Sequence, residues 1–189
     1  MLKKISFLSL LLGLLIAPSA YAHFHYKINS TAALQANDKK QLQAIAMSWV
    51  YDENVSGILL RSGQPLNELA KGIMDDLSQL NYFTRLTLNG KTITTKKVTH
   101  YTLKKIVQNK KNLLKLSFVL PLKSPLYLQG NTLGIIHTDP GASASLFYRN
   151  TNHLITGPIF SSFCKPDVKA VKDFKNGEAP EIVSVNCKS

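Results

Sequence analysis

The spacing of apolar and polar positions changes several times along the chain, and those changes define the predicted elements. Between Gln41 and Tyr51, the series Leu42, Ala44, Ala46, Ser48, Val50 alternates with Gln43, Ile45, Met47, Trp49, Tyr51. A period of two with substantial side chains on both faces predicts a long strand. Upstream, Phe24, Tyr26 and Ile28 fall on one face of a strand and His23, His25 and Lys27 on the other. The polar stretch Asn37-Asp38-Lys39-Lys40 separates the two and predicts a hairpin. The period then lengthens. Val55, Ile58 and Leu59 are compatible with a helical turn, and Pro65 at a first-turn position opens a helix over about 66–80. Its apolar stripe is Leu66, Leu69, Ile73, Leu77 and Leu80, with Asp75 and Asp76 on the solvated side.

Strand character resumes over 81–88, and Asn89-Gly90 is the strongest hairpin signal in the chain. Further strands are expected over 91–107, 112–120, 132–138, 142–149 and 181–185. They are separated by Gln108-Asn109-Lys110-Lys111, by Pro121 and Pro125, by Asp139-Pro140-Gly141, by Asn150-Thr151-Asn152, and by a Lys-, Asp- and Gly-rich loop after Cys164. About eight or nine strands and one principal helix, segregated rather than alternating, predict an α+β fold built on a mainly antiparallel sheet or sandwich.

The first residues change the picture of where the chain works. Lys3 and Lys4 precede an apolar run from Ile5 to Ile16, and Ala20-Tyr21-Ala22 has the small-x-small pattern of a cleavage site. Residues 1–22 therefore read as a signal peptide cut after Ala22, leaving 23–189 as one exported domain without repeats or linkers. Cys164 and Cys187 then predict a single disulfide that closes the C-terminal segment onto the body. The formal net charge is +12. In an exported chain this points to anionic envelope surfaces rather than nucleic acid. Lys96, Lys97, Lys104, Lys105, Lys110, Lys111 and Lys115 concentrate that charge, either as a solvated, aggregation-resistant face or as a docking face for an acidic partner or anionic lipid.

The cut site also defines the candidate chemistry. Cleavage after Ala22 makes His23 the terminal residue, so a free amine and two imidazoles (His23, His25) lie within three residues. Such nitrogen donors suit Zn(II), Ni(II), Co(II) or Cu(II). Phe24 keeps a backbone N–H, which permits a square-planar amide mode for Cu(II) or Ni(II). His137 and Asp139, two apart, are the candidates to complete the set from another strand. His100 and His153 read as structural or exposed. Enzyme signatures such as a Gly-x-Ser-x-Gly elbow, a His-Glu-x-x-His helix or a phosphate loop are missing, and the spacing of Ser143, His137 and Asp139 gives no support to a triad. The expectation is a non-enzyme.

Several short pieces occur in a characteristic order: His23-Phe24-His25, Trp49 with Tyr51-Asp52-Glu53, Tyr82-Phe83-Thr84, Asn89-Gly90, Phe118-Val119-Leu120-Pro121-Leu122 and Asp139-Pro140. In these the chain resembles a bacterial periplasmic family, number one-thousand-and-seven among the domains of unknown function. Members resemble the periplasmic component of an ABC-type transport system and are typically encoded beside nickel/cobalt exporter-type permeases. The resemblance implies a periplasmic metal-binding or metal-delivering role, a membrane permease as partner, and Asp52, Glu53 and Asp139 as further candidate ligands. His137 is not one of the family's positions, and the family usually has Pro where Phe24 stands. The expected function is thus a periplasmic transition-metal-binding accessory of a membrane transport system. The alternative is an envelope interaction module that docks through its lysine-rich face.

Overall fold

The computed structural model describes residues 25–189; the predicted signal peptide, its cut site and His23 lie outside them. The chain begins with two long strands, β1 (Tyr26–Ala36) and β2 (Leu42–Tyr51), then two helices, α1 (Glu53–Arg61) and α2 (Leu66–Gln79), and a 3-10 turn, Asn81–Phe83. The hairpin β3 (Thr84–Leu88) and β4 (Lys91–Ile93) precedes β5 (Tyr101–Gln108), β6 (Lys111–Leu126), β7 (Thr132–His137) and β8 (Ala144–Phe147). A short β9 (Leu154–Ile155), the one-turn α3 (Gly157–Phe160), β10 (Cys164–Ala170) and β11 (Glu181–Cys187) complete it.

The strands form two sheets. One runs β5-β6-β2-β1-β8 with β9 also on β1, and the other runs β10-β11-β7-β3-β4. Pairing is antiparallel except that β1 lies parallel to β8 and β9. This is the expected α+β architecture, with eleven strands among the described residues. Period two decides what is buried. Met47, Trp49 and Tyr51 of β2, Leu116, Phe118 and Leu120 of β6, and Leu133 and Ile135 of β7 all belong to one buried apolar cluster. Trp49 is fully buried, edge-on to Phe118 at 4.9 Å and stacked on Phe83 at 6.4 Å. Burial of each such large side chain contributes about 1.5–3 kcal/mol.

Three sequence expectations change. The long strand expected over 91–107 breaks, because β4 belongs to one sheet and β5 to the other, and residues 94–100 make the crossing. Conversely, β6 continues through Pro121 to Leu126. It does so where the β2–β6 register shifts between Leu42 and Ala44, an irregularity that tolerates a residue with no N–H to donate. The segment after Cys164, expected as loop, is β10, an outer strand whose Pro166 and lysines suit an edge.

In β10 and β11, Cys164 pairs directly opposite Cys187, and the two form the predicted disulfide. The half-cystines are 23 residues apart in sequence. Replacing both by Ala is expected to lower the unfolding free energy by about 3 kcal/mol. A guanidinium titration of the variant, compared with the wild type with and without reductant, measures this. An unchanged midpoint contradicts it.

Candidate functional site

Of the predicted nitrogen pair, His25 is within the described residues, at the exposed entry to β1. Its ring is held on both sides: Nδ1 is 3.1 Å from the Ala142 carbonyl oxygen and Nε2 is 3.2 Å from Nδ2 of Asn176. A carbonyl can only accept and an amide NH2 only donates, so these contacts place a proton on Nδ1 and a lone pair on Nε2. Nε2 is then the basic nitrogen, oriented by a backbone carbonyl on the far side of the ring. Metal-ligating imidazoles are commonly arranged that way.

The carbonyl that orients His25 belongs to a loop built by Asp139. Its Oδ1 accepts the Gly141 N–H at 2.8 Å, and its Oδ2 accepts those of Ser143 and Ala144 at 2.8 and 2.7 Å. Ala142 sits in the left-handed region, φ 54°, with its N–H on the Asp139 carbonyl. The Asn176-Gly177 turn closes on this loop. Gly177 has φ 86°, and a Cβ there would come within 2.8 Å of the Asp139 carbonyl oxygen, so only glycine fits. Tyr26 joins β1 to the same loop by donating its N–H to the Ser143 carbonyl at 2.9 Å. Partial burial, reinforced by the Asp139 and Asp52 carboxylates, raises the Tyr26 hydroxyl to about 12. Both carboxylates thus lie close enough to Tyr26 to act on its hydroxyl.

The other predicted ligands are committed elsewhere. Asp52 caps α1, accepting the Val55 N–H on Oδ1 and the Lys27 N–H on Oδ2. Glu53 pairs with Lys111 across to the β5–β6 turn. His137 lies between the sheets, 3 % exposed, and both ring nitrogens are taken. The Thr84 hydroxyl donates to the Tyr82 carbonyl at 2.7 Å, so its oxygen accepts the His137 Nδ1–H at 3.0 Å. Nε2 then accepts the Tyr148 hydroxyl proton at 2.7 Å, which that group gives to the ring rather than to Met47 Sδ at 3.9 Å. So Tyr26 and the Asp139 loop form one rim with His25, while Asp52 holds the β1 backbone at Lys27, Glu53 turns away and His137 is in the core. Among the described residues no group of three or more His, Cys, Asp or Glu side chains is arranged to hold a metal.

Ser143 shows no nucleophile's geometry, since its hydroxyl donates to Gly141 O. Sequence reasoning missed Tyr26 and Asn176 as neighbours of His25. The Asn176-Gly177 dipeptide was a turn signal, but nothing in it shows that the turn lands 151 residues away.

The fold and the site define a two-sheet α+β domain with a ring-oriented histidine where its first described strand begins. The family described as "Protein of unknown function (DUF1007)" matches residues 8–176, and the chain belongs to that family. No curated protein matches the chain.

The His137 geometry predicts a pH dependence. Burial drives its ring down from 6.5 to about 4, partly offset by the Phe83 carbonyl. The unfolded chain takes up this proton near pH 6.5 and the folded chain only near pH 4. Stability is therefore full above 6.5 and falls as pH drops through that window, by roughly 3 kcal/mol at its limit. Urea titrations between pH 7 and 4 should show this slope in the wild type and lose it in His137→Gln. An equal slope in the variant refutes the assignment.

Proposed function

We propose that the chain, once cut after Ala22, binds one divalent transition ion (Zn, Ni, Co or Cu) through His23 and His25. In this reading it acts in the periplasm as an accessory to a metal-transporting permease and catalyses nothing. The observation that carries the reading is the His25 ring, oriented by the Ala142 carbonyl at Nδ1, with a side-chain amide that a metal can displace, Asn176, at Nε2. Asp139 acts through its loop as the support for His25, since its oxygens hold three backbone N–H groups.

A second reading, the envelope interaction module, has its own observation. On the edge pair β5–β6, Lys104 lies directly opposite Lys115, and like charges in that position are destabilising without a counter-charge. Reversing Lys104, Lys105, Lys110 and Lys111 separates the two, because only docking predicts lost function with metal affinity intact.

Calorimetry on protein whose mature N-terminus is His23 should give one ion per chain. His25→Ala is expected to weaken it at least about 100-fold, beyond the effect of losing an outer-shell partner. One extra residue before His23 should also weaken it, by blocking the amine. Asn176→Ala should leave affinity equal or higher. Absence of stoichiometric metal, or full affinity in His25→Ala, sinks the proposal.

A further inference from the structure

A second site lies beside this rim and uses none of the histidines. We propose that the cavity between α1 and α2 binds a small organic cation, a protonated or quaternary amine with an apolar body. The cavity measures about 340 Å³, within the range of small-molecule sites. Its aliphatic walls come from both helices, Ile58 and Leu59 from α1, Ile73 and Leu77 from α2. The helices carry more apolar surface than their mutual packing covers, and Ile58 stays 50 % and Leu80 37 % exposed at the mouth. That surface favours an apolar ligand body.

The remaining wall selects the head group. Tyr26, Tyr51 and Phe83 line the cavity, and the two tyrosine rings lie 6.3 Å apart, tilted by 36°. Aromatic faces attract cations, the more so when desolvated. Burial holds the Tyr51 hydroxyl far above its usual range, so this wall stays uncharged. Asp76 stands at the edge of the cavity. The three ion pairs among the described residues are Lys71–Asp75, Lys111–Glu53 and Lys169–Asp167, and none engages it. An aromatic wall with the Asp76 carboxylate beside it, in an otherwise basic chain, fits a cation and rejects a fatty acid.

The backbone supplies an independent sign. Asn81, Tyr82 and Phe83 all lie in the left-handed region, at φ 49°, 54° and 47°. A side-chain-bearing residue there costs on the order of 1–2 kcal/mol, and such strain concentrates at functional positions. Here it turns Phe83 into the cavity wall while Tyr82 accepts the Val98 N–H on its hydroxyl.

The test is calorimetric titration with hexyltrimethylammonium, 1-hexanol and hexanoate, followed in parallel by fluorescence of Trp49, which stacks on Phe83. The ammonium ion should saturate one site, with hexanol and hexanoate at least about tenfold weaker, the scale of a desolvated cation–π contact. Asp76→Asn, on an exposed position, should weaken the ammonium ion about three- to tenfold at an unchanged melting temperature. Ile73→Trp, which fills the cavity, should abolish binding. The proposal is overturned if the ammonium ion does not saturate, if hexanol or hexanoate binds as tightly, or if Asp76→Asn binds like the wild type.

Discussion

The Asp139 carboxylate is the point on which the rest depends. It sits where the chain leaves β7 in one sheet and enters β8 in the other, and its three backbone hydrogen bonds fix that crossing. Charge-assisted bonds of this kind are about twice as strong as neutral ones, and the group is 3 % exposed. Because the crossing is fixed, β8 lies alongside β1, Ser143 takes the Tyr26 N–H, and Ala142 presents its carbonyl to His25. Asp139 is therefore a support for the rim, and the histidine is its beneficiary.

A second polar tie works from the opposite side. Glu181 in β11 accepts the N–H groups of Tyr148 and Arg149 just after β8, at 2.6 and 3.0 Å. Tyr148 in turn bonds to His137 of β7, which bonds to Thr84 of β3. Buried groups of this kind cost several kcal/mol if left unmatched, so the two sheets have one acceptable mutual placement. Aliphatic packing around Trp49 supplies most of the attraction, and these hydrogen bonds set the register.

Much of this was legible in the residue order. The β1–β2 hairpin, α2 and the Asn89-Gly90 turn follow from period and turn chemistry, which are local, and the disulfide from there being two cysteines in a chain that reads as exported. The break at 94–100 was not, because sheet membership leaves no mark on alternation. Nor was β10, whose Lys-Pro-Asp sequence resembles a loop and becomes a strand only because β11 offers it a partner. The site divides in the same way. His25 stood out by its spacing to His23, but its partners Ala142 and Asn176 lie 117 and 151 residues downstream. His137 and Asp139 looked equivalent two residues apart. The strand ends at His137, which leaves the ring between the sheets while Asp139 passes into the turn.

The placement of β1 has a consequence for the order of folding. This strand is made early, yet it lies between β2 and β8, and its parallel partners begin at Ala144 and Leu154. Pairing across more than a hundred residues closes a large loop before it is rewarded, so such contacts form slowly. A chain emerging from its N-terminus can zip β1 to β2 at once, but the other edge of β1 stays open until most of the domain has appeared. The rim around His25 is assembled late, because Ala142 and Asn176 lie 117 and 151 residues downstream of it.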